Sequence, residues 1–239
     1  MEDNIAQKLS EIYAKDLALT IRQSINKLIL KYKAKIKQMT YELSQKDIVL
    51  IVYGDHVQNE GEAPLKTLHD FANRNLKGRI NTIHILPFYP YSSDDGFSVI
   101  DYYAVHASLG TWEDIKMLSN GYRLMFDAVV NHISAESEWS KGFLANEGKY
   151  ENYFVEMSPE TDLSAVVRPR ALPLLSEFED VDGNKKYIWT TFSKDQIDLN
   201  YENPKVLLQV IDILLFYISQ GAKLIRLDAI GFLWKVPGS

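Results

Sequence analysis

The sequence predicts an α/β fold in which helices cover a parallel β-sheet. Short runs of apolar and β-branched residues alternate along the chain with longer stretches whose apolar residues recur every three or four positions. The first short run, residues 48–53, is apolar at every position, which is typical of a parallel strand buried on both faces. Because strands that alternate with helices form βα units, the sheet is expected to be parallel.

The composition excludes several classes of protein. The 239 residues include 26 Lys and Arg against 32 Asp and Glu, a net charge of −6, and 46% of them are hydrophobic, as in an ordinary globular protein. This acidic balance argues against a dedicated nucleic-acid binder, because phosphate backbones select clusters of Lys and Arg. The chain has no cysteine, which excludes disulfides and thiolate metal sites.

No stretch of the sequence predicts a signal peptide or a membrane span. The N-terminus begins acidic and never forms the apolar run of a secretory signal. The longest apolar block, residues 210–218, is interrupted by Asp212. We therefore expect a cytoplasmic protein without a membrane partner.

Residues 1–46 predict a helical N-terminal extension. From Ile5 to Leu43, apolar residues recur every three or four positions without Pro or Gly, which indicates one long helix or two. The lysines between Lys27 and Lys37 would suit a helix on a membrane surface, but acidic residues elsewhere in the segment dilute their charge. We favour a solvated polar face over a membrane-surface helix.

Four strands and three helices follow in alternation. The predicted strands span residues 48–53, 79–87, 122–130 and 223–227, and the predicted helices span residues 64–76, 111–119 and 203–219. Thr111 is expected to cap the second of these helices, and Pro204 to take the first position of the third. Residues 47–131, with three strands, form the first part of the predicted domain, and residues 201–239 continue it.

Residues 132–200 interrupt the alternation and are predicted to form an inserted domain. They are rich in turn residues and in aromatic residues such as Trp139 and Tyr150. The Asp182-Gly183-Asn184 sequence is a turn signal between strand-like residues, so we expect a hairpin there. An excursion of this length inside a compact α/β domain is usually functional.

Candidate catalytic residues lie at the carboxyl ends of the third and fourth strands, where β/α folds place their chemistry. Asp127 and Asn131 share one face at the end of the third strand, and His132 follows them. At the end of the fourth, Arg226 and Asp228 share one face. An arginine two residues before an aspartate keeps that carboxylate ionised, as a carboxylate nucleophile requires. An ion pair that fills a layer of a barrel is the alternative, and both interpretations stay open.

The loop after the second strand, residues 87–103, is the second candidate region. It places aromatic rings beside the vicinal carboxylates Asp94 and Asp95. Sugars bind to such surfaces, with their apolar C–H faces against rings and their hydroxyl pairs on carboxylates. An ordinary loop with a turn-forming Asp-Asp-Gly is the alternative.

Four sequence blocks, in order along the chain, resemble the α-amylase superfamily (glycoside hydrolase family 13). Three of them are DAVVNH from Asp127, QIDLN from Gln196 and IRLDA from Ile225. The fourth, DDGFSVIDY from Asp94 with LGTWEDI from Leu109, looks like the sucrose phosphorylase subgroup. One block alone would be a weak signal, whereas four in register are a strong one. The resemblance implies the N-terminal half of a (β/α)8 TIM barrel, with the inserted domain after its third strand.

The resemblance also implies roles for individual residues. Asp228 matches the nucleophile of a retaining α-glucosyl transfer, and Arg226 matches the residue that orients it. Asp94 matches the carboxylate that grips the glucosyl hydroxyls, and Phe97 matches the ring beside it. The other substrate-binding positions are His132, Gln196 and Phe192, and those matched as structural near the site are Asp127, Asn131 and Asp101. No metal is implied, because this subgroup generally lacks the calcium that the asparagine often ligates in amylases.

The implied activity is that of a glycoside phosphorylase, which transfers an α-glucosyl group with retention to inorganic phosphate and yields α-glucose 1-phosphate. Its partners would be a small-molecule α-glucoside and phosphate, without nucleic acid and without a cofactor. The N-terminal extension is similar to that of glucosylglycerate phosphorylase-type relatives, while fructose, glycerate and glycerol all stay open as leaving groups, and so does the oligomeric state. A hydrolase or transglucosidase of the superfamily, or an inactive fragment, is the alternative.

The family takes its acid/base glutamate from the fifth strand and a stabilising aspartate from the seventh, and no Asp or Glu follows Asp228 here. Without the extension and the insertion, about 125 residues remain, half of the roughly 250 of an eight-unit barrel. We therefore expect these 239 residues alone to be an inactive and marginally stable half-barrel, because its strand edges and its apolar interior are open.

Overall fold

A computed structural model describes residues 2–36 and 42–237. The strands, in chain order, are β1 (Val49–Val52), β2 (Thr82–Ile85), β3 (Arg123–Val129), β4 (His132–Ser134), β5 (Leu175–Glu179), β6 (Lys185–Trp189), β7 (Gln196–Asp198) and β8 (Ala222–Asp228). The α-helices are α1 (Glu2–Ile12), α2 (Lys15–Tyr32), α3 (Pro64–Asn75), α4 (Trp112–Gly121), α5 (Glu138–Leu144) and α6 (Pro204–Ser219). Four strands form the central sheet, in the spatial order β1, β2, β3, β8.

Every pair of neighbours in the central sheet is parallel, as the alternation of strands and helices predicted. In the register between β3 and β8, Asp127 lies opposite Arg226 and Val129 lies opposite Asp228. The charged residues predicted at two strand ends are thus neighbours across one ladder. The outer strands expose apolar side chains, with Ile51 of β1 61% exposed and Leu227 of β8 46% exposed.

The helices that join these strands begin where their capping residues predicted. Thr111 and Asp114 form a capping box at the start of α4, in which the Thr111 amide donates to Asp114 at 2.8 Å. The Asn203 side chain accepts a hydrogen bond from the Lys205 amide, and Pro204 is the first residue of α6. Across residues 2–36 and 42–237, no helix combines the length and the hydropathy that spanning a membrane requires.

The N-terminal extension contains two helices, and it packs on α6. Ile21 and Ile25 of α2 are buried against Leu208 and Ile211 of α6. The prediction of a helix that continues to Leu43 is wrong, because α2 ends at Tyr32 and the described residues from 42 to 48 are not helical. The apolar spacing continues past Tyr32, but Leu43 at the end of the predicted helix is 75% exposed and lacks the buried contacts that stabilise a helical turn. Residues 37–41 of the predicted helix lie outside the described residues.

The segment between β3 and α6 holds two small antiparallel sheets. The strands β5 and β6 form the predicted hairpin, and Gly183 in its turn has a left-handed φ of 80°. The strands β4 and β7 form the second sheet directly beyond the end of β3, where His132 pairs with Asp198 and Ser134 pairs with Gln196. This second sheet brings the two ends of the inserted segment to the carboxyl edge of the central sheet.

Candidate active site

A chain of polar and charged side chains crosses three strands of the central sheet. The Asp127 carboxylate in β3 is completely buried and lies between His84 of β2 and Arg226 of β8. His84 Nε2 is 2.7 Å from Asp127 Oδ2, and Arg226 Nη1 donates to Asp127 Oδ1. The second guanidinium nitrogen, Arg226 Nη2, lies 2.9 Å from Asp228 Oδ1. Arg226 therefore bridges the buried carboxylate and the candidate nucleophile.

This bridge fixes the orientation of the Asp228 side chain. Burial lowers the pKa of Arg226, but its hydrogen bond to Asp127 and the charges of Asp127 and Asp228 outweigh this and raise it. The guanidinium is therefore always charged beside the candidate nucleophile. Within the described residues, Asp228 Oδ2 accepts no hydrogen bond, and its side chain is 17% exposed. One carboxylate oxygen is thus held by Arg226 while the other stays free to react.

The loop that carries Asp94 turns sharply at three consecutive left-handed residues. Their φ values are 56° at Asp94, 49° at Asp95 and 99° at Gly96. The glycine is required at the third position, because a Cβ there would lie 2.7 Å from the Pro87 carbonyl oxygen. The two aspartates have no such freedom, and left-handed backbone at a residue with a side chain costs about 1–3 kcal/mol. Contacts from the rest of the molecule must hold this turn.

Gln196 and His132 contact the tip of this loop from the inserted segment. Gln196 Nε2 donates to Asp94 Oδ2 at 2.8 Å, which joins two predicted sugar-binding residues. His132 Nε2 lies 2.9 Å from the Phe97 carbonyl oxygen, and His132 Nδ1 lies 3.1 Å from the amide of Asn131. These partners favour the tautomer with its proton on Nε2. Burial lowers the pKa of His132, although the charge of Asp198 opposes this, so the ring is neutral.

Aromatic contacts join the loop and the insertion to β8 and the residues just after it. The Arg226 guanidinium lies 5.8 Å from the centre of the Phe97 ring. The Phe192 ring lies 5.1 Å from the His132 ring and 5.6 Å from the ring of Phe232, just after β8. The predicted residues of the strand ends, the loop and the insertion therefore share one surface.

Asp101 is the predicted residue that lies apart. Its exposed carboxylate accepts a hydrogen bond from the Tyr103 amide at 2.8 Å. It lines a cavity together with Trp139 and Tyr150. Asp101 shapes its own turn and makes no contact with the other predicted residues within the part of the chain described.

A buried lysine occupies the space beside Asn131. Lys235 Nζ lies 2.8 Å from Asn131 Oδ1 and 2.9 Å from Asp198 Oδ2, and its side chain is 4% exposed. Burial lowers the pKa of Lys235 even though Asp198 opposes this. The Lys235 ammonium group binds the side-chain oxygens of Asn131 and Asp198 that a calcium ion would need as ligands, so these residues do not fit a calcium ion. No other group of three or more ligating side chains within residues 2–36 and 42–237 suits a metal.

Sequence reasoning gave no role to His84, Asp198 or Lys235. His84 sits inside a strand among apolar residues, and Lys235 follows β8 in a segment without periodicity. The alternation of side chains along a strand could have identified His84. It pairs in register with Met125, which lies on the same face of β3 as Asp127. Nothing local to Lys235 points to partners as far away as Asn131, 104 residues earlier.

Comparisons with known proteins identify the family and relatives of this chain. The family model for the alpha amylase catalytic domain matches residues 77–239. The chain is 48% identical to a glucosylglycerate phosphorylase of Spirochaeta thermophila over 99% of its length, and 46% identical to one of Escherichia coli K12 over its whole length. It spans 41% and 43% of those two relatives.

A solved structure shows the same fold. Sucrose 6F-phosphate phosphorylase from Thermoanaerobacter thermosaccharolyticum superposes with a TM-score of 0.76 at 29% identity, over 83% of this chain and 42% of that one. The four parallel strands are accordingly the first part of a (β/α)8 TIM barrel. The chain belongs to the family of the alpha amylase catalytic domain.

Proposed function

We propose that this chain supplies the nucleophile and the donor-sugar site of a glycoside phosphorylase that acts on glucosylglycerate. The products would be α-glucose 1-phosphate and glycerate. The observation that carries the proposal is the Arg226 bridge, which holds one oxygen of Asp228 and leaves the other free, while the ring of Phe97 lies 5.8 Å from the same guanidinium. Glucosylglycerate is chosen because it is the substrate in the names of relatives that are 48% and 46% identical to this chain.

In the first step, Asp228 Oδ2 attacks the anomeric carbon of the glucosyl group, and the bond from that carbon to the glycerate oxygen breaks. The carboxylate of Asp94 and the ring of Phe97 hold the sugar during this attack. The leaving oxygen takes a proton from a general acid, which the family carries as a glutamate on its fifth strand. The described sheet contains the four strands before that position.

In the second step, an oxygen of inorganic phosphate attacks the same carbon, the ester bond to Asp228 breaks, and the glutamate takes the proton of the attacking oxygen. Two inversions give retention of the α configuration. The similarity to several phosphorylases supports phosphate, rather than water, as the acceptor. No cofactor enters this scheme, and the absence of cysteine supports a cytoplasmic location.

A chimaera tests the proposal. This chain replaces the matched 41% of the Spirochaeta thermophila relative, and the product is assayed with glucosylglycerate and phosphate. We expect α-glucose 1-phosphate as the main product, and a glucosyl ester on Asp228 when a slow 2-fluoro donor is used. Free glucose at millimolar phosphate would replace this proposal with a hydrolase, and a preference for sucrose or glucosylglycerol in the same assay would change the leaving group.

A further inference from the structure

Asp195, just before β7, carries an unusual set of hydrogen bonds. Three serine hydroxyls donate to its Oδ2 atom, from Ser92 at 2.6 Å, Ser93 at 2.5 Å and Ser98 at 2.7 Å. A fourth hydroxyl, that of Ser134 in β4, lies 3.3 Å from Oδ1. Burial alone would raise the pKa of Asp195, but these hydrogen bonds lower it below its ordinary value. The carboxylate is therefore ionised, and each hydroxyl contact is charge-assisted.

The three serines on Oδ2 flank the strained turn of the Asp94 loop. Ser92 and Ser93 precede the left-handed residues Asp94, Asp95 and Gly96, and Ser98 follows them. The Ser92 amide also donates to the Ser98 carbonyl at 3.1 Å, so the two sides of the loop meet at its base. Asp195 therefore links the two sides of the loop at its base, directly next to the left-handed turn.

Asp195 itself is fixed to the inserted segment. Its carbonyl oxygen accepts the Ala135 amide at 2.8 Å, next to the pairing of β4 with β7. The following residue, Gln196, donates to the Asp94 carboxylate at 2.8 Å. Two adjacent side chains thus hold one loop at two points, Asp195 at the base and Gln196 at the tip.

We propose that Asp195 is a positioning residue that holds the 92–98 loop in its left-handed turn and thereby places Asp94 against the donor sugar. The inference rests on the proposed function, because Asp94 matters only if a glucosyl group binds. Asp195 never touches the sugar and acts through the three serines. An amide at this position keeps the size of the side chain, but it lacks the charge and turns an NH₂ group toward some of the hydroxyl donors.

The first test is kinetic and uses the chimaera. Asp195→Asn is expected to lower kcat/KM for the glucoside about 10- to 100-fold, since hydrogen bonds to a charged group are lost. Most of this loss should appear in KM for the donor, while KM for phosphate stays the same. In an Asp94→Asn background, Asp195→Asn should produce little further loss of kcat/KM, because Asp195 acts by positioning the Asp94 carboxylate and that carboxylate is already replaced. A full additional loss in that background would overturn the proposal.

Asp180→Asn is the matched control. Asp180 is a buried carboxylate of the same inserted segment, and it accepts hydrogen bonds from the Asn184 amide and the Asn146 side chain at the hairpin turn. Like Asp195, Asp180 accepts hydrogen bonds that stabilise a turn, but it makes no contact with Asp94. Its replacement should lower stability without a change in KM for the donor.

The second test needs no activity. In the 239-residue chain, Asp195→Asn should accelerate amide hydrogen exchange of residues 92–98 more than Asp180→Asn does, and unchanged exchange there would overturn the proposal. The two tests also separate this inference from the proposed function. A folded chimaera without glucosyl transfer refutes the function, whereas an active chimaera with an unaltered Asp195→Asn variant refutes the positioning role.

Discussion

Two buried carboxylates, Asp127 in the central sheet and Asp212 in α6, show how differently similar networks serve the molecule. Both lie among donors from other elements of the fold. Asp127 holds Arg226, and Arg226 reaches on to Asp228. Asp212 accepts Lys31 Nζ and the Tyr103 hydroxyl, both at 2.7 Å, and these contacts join the N-terminal helices and the 87–103 loop to α6.

The networks of Asp127 and Asp212 differ in the residue at which their contacts end. The network of Asp127 ends at a carboxylate with a free oxygen on the surface of the site. The hydrogen-bond network of Asp212 ends at Asp212 itself, where α2 packs against α6. Burial and hydrogen bonding are therefore alike in the two networks, and the onward contact of Arg226 with Asp228 distinguishes them.

The substitution with the largest expected effect is Asp228→Asn, at the end of the first network. An amide keeps the shape of the side chain but cannot form the glucosyl ester, so activity of the chimaera should fall by about 10⁴ or more. The unfolding free energy of the 239-residue chain should change by less than about 1 kcal/mol, because the Arg226 pair is partly solvated. Activity within tenfold of the unsubstituted chimaera would make Asp228 a structural partner of Arg226.

Asp127→Asn should affect both stability and activity. The substitution removes the buried charge that holds Arg226 and His84, and loss of one partner from a buried pair costs about 3 kcal/mol or more. The measurement is urea unfolding of the chain, followed by kcat of the chimaera at a temperature where both variants are folded. We expect a lower kcat because Arg226 no longer fixes Asp228. An unchanged kcat in the folded variant would remove the distinction between the two networks.

Asp212→Asn, the matched substitution in the second network, should lower stability alone. The loss of its charge-assisted hydrogen bonds to Lys31 and Tyr103 is expected to cost about 1–2 kcal/mol. Urea unfolding measures this cost, and kcat/KM of the chimaera should not change. If kcat/KM fell as far as in Asp127→Asn, the N-terminal helices would be coupled to the site.

Most of the fold could be predicted because its signals are local. Short apolar and β-branched runs located the four parallel strands, and Thr111 and Pro204 located two helix starts. The end of α2 was predicted wrongly, because the helical spacing continues toward Leu43 whereas the helix ends at Tyr32 and Leu43 is exposed. A periodic pattern shows which face of a helix can be buried and does not show where its partner ends.

The site was predictable only where chemistry follows the strand ends. Asp127, Arg226 and Asp228 follow from alternation along β3 and β8, and resemblance added the residues of the loop and the insertion. Asp195 was missed because its serine partners lie about 100 residues away or in another strand, and only the fold brings them together. Asp101 was placed near the site by resemblance, but its contacts are those of a local turn.

The smallest expected effect is a pH dependence of stability that comes from His132. Burial holds the pKa of this ring below the ordinary value of 6.5, which applies to the unfolded chain. As the pH falls below about 6.5, the unfolded state therefore binds a proton before the folded state does, and folding becomes less favourable. The contribution of the neutral ring is present above that pH and is lost as the pH falls toward the folded value.

Urea unfolding of the 239-residue chain between pH 7 and pH 5 measures this effect, and comparison with His132→Gln isolates it. We expect the unfolding free energy of the unsubstituted chain to fall more steeply with acidification than that of the variant, with His56→Gln, at an exposed histidine, as the matched control. A steeper fall in the variant would mean that the charge of Asp198 dominates over burial at this ring. His132 would then belong with Asp127, as a charged member of a network, and not with the neutral groups proposed to face the sugar.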